Sequence, residues 1–370
     1  MQQVVVDPGT GKVRVRSTRL SRGSGQRWLL APEFVGICGT DLDIIAGSRA
    51  DKASVLGHEA VVRVVERPSP VFHGTETGTS YLINPVNAED QERIIGHSEA
   101  GMLQNAVEIP AARAWDGLLV PVLPDLDPLL AVLSEPLGVA IYSAELLAAQ
   151  ALPERLLVVG AGPMGLLTAV TAGLLGVPEV TVVDRSERRL RYAVENGFVE
   201  TDRVLRRESG PNPDAAALYD GPGPDAIAVC VGREHRRVAL RDALRIASPG
   251  ARIGLTTGFK AGETLCEIAG VDLHQIRRLN VCGEPWPGHV HQVDVADGKC
   301  VYLTGHRGTS RRHLLDAMKI LINHPELFRR FITDIVSLRE VPQSLELLMR
   351  ERSAPDEAPY RKFVVALGQS

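Results

Sequence analysis

Cys38 stands in the run GICGTD, and His58 follows twenty residues later in LGHEA. A thiolate and an imidazole are the donors that zinc prefers, and one further protein ligand would leave a fourth position open for a substrate oxygen. Two carboxylates compete for that third place: Glu59, beside His58, and Glu135 in LSEPLGVA. Spacing alone does not choose between them. A dication held there would ease loss of a proton from an alcohol, and the alkoxide would then release hydride to a nicotinamide. Thr40, two residues from the thiolate, is placed to take that proton through its hydroxyl. Taken singly, a cysteine or histidine in a β-rich region reads as buried filler or as a satisfied polar core group. What argues for a metal centre is their joint appearance upstream of a nucleotide-binding motif.

That motif is Gly160-Ala-Gly162-Pro163-Met164-Gly165, which follows an apolar run and opens a helical stretch. Gly160 suits the tight turn, Gly162 lets backbone N–H groups approach a pyrophosphate, and Gly165 permits close helix–strand packing. The helix start adds its positive dipole end. Asp184 closes the next strand, where a carboxylate accepts hydrogen bonds from an adenosine ribose and repels a 2′-phosphate, so NAD is expected over NADP. Arg185, Arg188 and Arg189 lie just beyond and would soften that preference, since a nearby Arg is the usual device for a 2′-phosphate. A glycine-rich turn in some other α/β protein is the bland reading; strand, helix and terminal acid together argue against it.

The elements that must position these residues fall into two classes. Residues 1 to 135 give short β-rich runs broken by Gly and Pro, among them RWLLAPEFVGI, AVVRVVERPSPV, TSYLINPV and AVEIPAARAW, which predict a twisted antiparallel β-domain. Beyond Pro136, apolar strands at LLVVG, VTVVD, AIAVCVG and ARIGLTTG alternate with helical stretches, the α/β pattern of a doubly wound parallel sheet. After Gly283 the run PWPGHVHQVDVADGKC reads as irregular, and its His289, His291 and Cys300 as loop or pocket lining. The final run YRKFVVAL is placed to return to the first domain's sheet. The expected domains are therefore 1–138, 139–283 and 284–370, the last completing the first.

Composition bounds the rest. With 370 residues, 44% hydrophobic and 23% charged, the chain is long enough for two cores of ordinary size. A net charge of −4 without a basic run argues against nucleic acid, and the absence of a long apolar stretch argues against a membrane span. The N-terminal residues lack the order of a signal peptide, so a cytoplasmic protein is expected. Five well-separated cysteines argue against a disulfide framework.

At GICGTDLDIIAG, VLGHEAVVRVVE, SEPLGVAI and VVGAGPMGLLTAVTAGLLGVPEVTVVDRSERRL the chain resembles the medium-chain, zinc-dependent alcohol dehydrogenase superfamily. Within it, the Glu of GHE and the Glu of SEPL resemble the polyol and sugar branch of sorbitol, threonine and glucose dehydrogenases. The resemblance implies a Rossmann domain inserted into a GroES-like, β-rich catalytic domain. It also implies one catalytic zinc on Cys38, His58 and either Glu59 or Glu135, with the other Glu close by. Two departures stand out. The lobe that holds a second, structural zinc in most relatives reads NPVNAEDQERIIGHSEAGML here, without a cysteine, so a single zinc is expected. Asp43 stands where many relatives place a proton-relaying His, which leaves Thr40 with the cofactor ribose or water, or some other group. The expected activity is hydride transfer between NAD(P) and a secondary alcohol of a sugar, cyclitol or polyol, in a homodimer or homotetramer. The rivals are a zinc-free NADPH reductase of the same fold, a nucleotide-binding regulatory protein without turnover, and an epimerase that retains its cofactor.

Overall fold

The structure, a computed structural model, describes all residues except 8–9, 21–25, 50, 52, 69–75, 208–222 and 369–370. It divides into two compact units, the first comprising 1–136, 309–350 and 361–370, the second 137–308 and 351–360. Among the described residues no helix is long and apolar enough to cross a membrane.

In the first unit the long strand Arg27–Gly36 is the organising element. It pairs antiparallel with Glu59–Glu66, and with Phe363–Ala366 and Val107–Pro110 elsewhere along its length. Among the described residues the full order is Asp334–Ser337, Phe363–Ala366, Arg27–Gly36, Glu59–Glu66, Ser80–Ile83 and Leu119–Pro121. These strands form because β-branched and aromatic residues alternate with polar ones, so that Leu30, Val35, Val62, Val64, Ile83 and Val365 turn into one apolar core. The end of the AVVRVVERPSPV run lies outside the described residues. The returning FVVA run finds its partner far across the sequence: Val364 stands opposite Gly36. That pairing sets the neighbouring Lys362 beside the loop that follows Gly36.

The second unit is a parallel sheet in the order Val204–Arg206, Glu179–Asp184, Arg155–Val159, Ala226–Val229, Arg252–Leu255 and Cys300–Gly305, with His291–Asp294 antiparallel at its edge. Strands such as RLLVV and AIAV are apolar nearly throughout because helices cover the sheet, and a strand buried on both faces has no polar side. The segment read as irregular thus contains the strand His291–Asp294 and ends on the first residue of Cys300–Gly305, and the unit runs to Gly308, where 283 was expected. The physical reason is local. In His291–Asp294 only Val293 is buried, and its polar neighbours break the apolar run that would announce a strand; in Cys300–Gly305 Val301 and Leu303 alternate as buried residues in an ordinary strand pattern. His291 opens the edge strand, Cys300 opens its neighbour, and the backbone of His289 is held by Asn280.

The turn between Arg155–Val159 and the helix Pro163–Leu174 is closed by contact of backbone on backbone. Gly160 has φ +110°, and a Cβ at Gly165 would collide with the Gly160 carbonyl oxygen. That oxygen is not a flexible side-chain end, so the helix would have to move. Gly165→Ala is expected to cost about 1–3 kcal/mol through overpacking, read as a lowered urea midpoint with the first unit's stability unchanged.

Candidate active site

In the first unit the thiol of Cys38, the imidazole of His58 and the carboxylate of Glu59 offer donor atoms that all lie within 4.8 Å of one another. Two atoms bonded to one zinc at about 2.0–2.3 Å lie at most about 4.6 Å apart, so the trio needs little rearrangement to share an ion. His58 and Glu59 are buried, and among the described residues His58 Nδ1 has no hydrogen-bond partner. A buried imidazole nitrogen left in that condition is costly unless something occupies it, and a metal ion is one such partner. Gly36 makes room for the carboxylate, since a Cβ there would collide with Glu59 Oε2.

Local structure explains why the two candidate-ligand loops meet. Cys38 caps the short helix Gly39–Ile45, whose third residue, Asp41, is fully buried. One Asp41 oxygen accepts from the Cys38 N–H at 2.9 Å and the other from the Gly57 N–H at 3.3 Å. A single carboxylate therefore ties the backbone at both candidate-ligand loops, and Asp41 Oδ1 also stands 3.9 Å from His58 Nδ1. Thr40 Oγ1 lies 3.5 Å from His58 Nε2. Asp43 is buried, with its backbone carbonyl accepting from Ser48 Oγ at 2.9 Å.

Lys362 is the residue that sequence reasoning missed. Its Nζ donates to Glu59 Oε2 and, at 3.2 Å, to the Ile37 carbonyl, and both side chains of the ion pair are 2% exposed. The only signal was a lysine set against the apolar end of YRKFVVAL. Asp41 was likewise passed over, as one acid in GTDLD. Glu135, also buried, falls outside the donor trio yet lies in electrostatic reach of His58, Glu59, Lys362 and Asp41.

The charges decide the site's character. Burial opposes a charged imidazolium, but Cys38, Asp41 and Glu135 outweigh it and push His58 up to about 10. Burial likewise drives Glu135 up to about 7, against the pull of His58. It also raises Asp41, in spite of His58 and two backbone N–H groups. Lys362 is raised although burial works against its charge, because Glu59 and Cys38 stand beside it. Acidic groups here outnumber basic ones, and a pocket of this kind holds protons or a dication.

The second unit carries the glycine turn. Gly162, the N-cap of Pro163–Leu174, faces open space where a Cβ would stand, and Pro163 and Met164 begin the helix. Asp184 makes two bonds to the backbone. Oδ2 accepts from the Ala161 N–H at 2.7 Å and Oδ1 from the Ser186 N–H at 2.8 Å, which fixes the carboxylate at the mouth of the turn. Arg189 Nη1 lies 3.9 Å from it, and Arg185 pairs with Asp356 at 3.3 Å.

The zinc-binding dehydrogenase family matches residues 163–289. The L-threonine 3-dehydrogenase of Bacillus licheniformis is 27% identical over 271 residues, covering 68% of this chain and 75% of that one. The glucose 1-dehydrogenase of Thermoproteus tenax is 32% identical over 255 residues, covering 62% of this chain and 71% of that one. The chain belongs to the medium-chain zinc alcohol dehydrogenase superfamily. This dehydrogenase is therefore an oxidoreductase, and its fold agrees with solved relatives along its length. A zinc-binding dehydrogenase of Sinorhizobium meliloti bound to NADP superposes with a TM-score of 0.71 at 21% identity, covering 99% of this chain and 98% of that one.

Two outcomes test the charge arrangement. Lys362→Met should strand the Glu59 carboxylate in the interior and cost about 3–5 kcal/mol, with Glu59→Gln in the same chain recovering much of it, as read from urea unfolding. Glu135 has its folded-state pKa raised, so its contribution to stability is full below its unfolded value of 4.5 and is lost as pH rises through about 7. Chelator-treated protein should therefore lose stability across that window, and Glu135→Gln should flatten the loss in a pH series of thermal melts.

Proposed function

We propose that this dehydrogenase uses one zinc ion and NAD to interconvert a secondary alcohol and a ketone on a polar, polyhydroxylated substrate such as a sugar, cyclitol or polyol. The observation that carries the reading is the donor trio of Cys38, His58 and Glu59, with a buried imidazole nitrogen that has no partner among the described residues. These three residues would hold the ion, with Glu135 nearby as the other candidate for the third place. When bound, zinc supplies Lewis acidity that favours loss of the substrate hydroxyl proton.

The chain's own residues do the remainder. Asp41 holds the Cys38 and Gly57 backbones so that thiol and imidazole converge before any ion arrives. Lys362 offsets part of the charge on Glu59, which keeps several acidic groups tolerable in one pocket. Thr40, beside His58, takes the substrate proton at Oγ1 as its own hydroxyl proton passes to water, since position 43 carries Asp and no relaying His. Asp184 receives the adenosine ribose hydroxyls while its other lone pairs remain on Ala161 and Ser186. The absence of cysteine between residues 85 and 105 supports a single zinc. The relatives named for threonine and for glucose support a small polar substrate.

Metal analysis joined to an NADH-absorbance screen of polyols and cyclitols tests this directly. The expected result is one zinc per chain and turnover on at least one polyhydroxylated alcohol. Cys38→Ser should lose both the metal and about 10³-fold or more of the activity with an unchanged circular dichroism spectrum. Glu59→Gln and Glu135→Gln should differ in zinc content, the lower value marking the third ligand. Full turnover by metal-stripped Cys38→Ser, or reduction of an activated double bond by metal-free protein with NADPH, would sink the proposal.

A further inference from the structure

Three arginines follow Asp184 at the adenosine end of the nucleotide unit, and each is engaged by the same segment, 351–360. Arg185 Nε pairs with Asp356 Oδ1 at 3.3 Å. Arg188 Nη1 donates to the Glu357 carbonyl at 3.1 Å, and Arg189 Nε donates to the Pro359 carbonyl at 3.3 Å. The segment is itself anchored. Ser186 Oγ donates to the Ala358 carbonyl at 2.6 Å, Tyr360 stacks on Tyr192 with ring centres 4.6 Å apart, and Arg352 forms a forked pair with Glu234. Ala358 and Tyr360 are buried, whereas Asp356 is 47% exposed on its side chain.

We propose that this segment sets the choice between the two nicotinamide dinucleotides, and that Asp356 is the positioning residue, holding the Arg185 guanidinium away from a ribose 2′-phosphate. The inference rests on the reading of Gly160–Gly165 and Asp184 as a dinucleotide site. A guanidinium binds phosphate through a planar fork of donors, so an arginine whose fork is spent on a carboxylate gives little to a phosphate. Arg185 is spent twice, since its Nη2 also lies 3.1 Å from His235 Nε2. Burial first, and then Arg185, Arg352 and Arg207, hold His235 below the usual imidazole range, which keeps it a neutral acceptor for Arg185. Nearby charges are matched within the protein, Arg207 to Asp242 at 2.6 Å and Arg352 to Glu234 at 2.6 Å. Arg188 and Arg189 are committed to main-chain carbonyls, which no side-chain substitution removes. Of the three arginines, therefore, Arg185 is the one whose link to the segment a point change in the segment can release.

The test compares NADH and NADPH binding by nucleotide fluorescence in the full-length wild type and in Asp356→Asn, Asp356→Glu and the double variant Asp356→Asn/Arg185→Ala. Wild type should bind NADH more tightly than NADPH. Asp356→Asn should tighten NADPH about fivefold and leave NADH where it was, the size expected for release of one exposed ion pair. Asp356→Glu should behave as wild type, and the double variant should lose the gain. A NADPH-to-NADH ratio that is unchanged in Asp356→Asn, or a gain that survives removal of Arg185, overturns the inference while the dinucleotide site stands. Binding of neither nucleotide by wild type overturns the underlying reading, and the inference with it.

Discussion

The crowding of buried acidic groups is the constraint around which the first unit is arranged. The buried Asp41, Glu59 and Glu135 are brought together beside the half-buried Cys38, and His58 and Lys362 stand against them. Carboxylates are not buried bare; they are protonated, paired or bound to a metal. Burial favours the first, and the second is visible in the geometry. Glu135 shifts toward its protonated form, Glu59 is paired with Lys362, and His58 keeps its proton to nearly the range of an amine. Asp41 takes a further course, placing its oxygens on the backbone N–H groups of the two loops that carry Cys38 and His58. The chemistry of the site and the stability of the surrounding sheet are consequently the same problem.

In the second unit the corresponding linchpin is Asp184. Its carboxylate bonds the Ala161 N–H in the glycine turn and the Ser186 N–H at the start of the next helix. The group proposed to recognise a ribose is therefore also the clasp between two successive βα turns, which keeps its rotamer fixed before any nucleotide arrives. Ser186 extends the clasp, since its hydroxyl caps the helix Glu187–Glu195 and donates to the Ala358 carbonyl. Residues from far along the chain thus share in shaping this region without belonging to its sequence motif.

Much of this could be seen in the residues themselves because the signals were local. The turn at Gly160–Gly165 is legible because the close approach of Gly165 to the Gly160 carbonyl is local, although Asp184 and the Cys230 backbone also hold it, and the strand before it announces itself as an unbroken apolar run. GICGTD and LGHEA likewise pair a chemical donor with the small residues its loop requires. The His291–Asp294 strand was harder to read, because polar residues surround its single buried Val293 and make the periodicity resemble a loop; Cys300–Gly305, by contrast, carries an ordinary strand pattern.

Sequence determined the donor types, the nucleotide fingerprint and the superfamily, since each depends on residue identity at short spacing. Tertiary structure decided which distant groups complete them. Lys362 reaches Glu59 across 303 residues because Phe363–Ala366 pairs with Arg27–Gly36, and Asp356 reaches Arg185 because segment 351–360 packs within the nucleotide unit. No local pattern encodes either meeting, because strand register and segment docking are set by the burial of whole faces, and only afterwards do the charges they carry find one another.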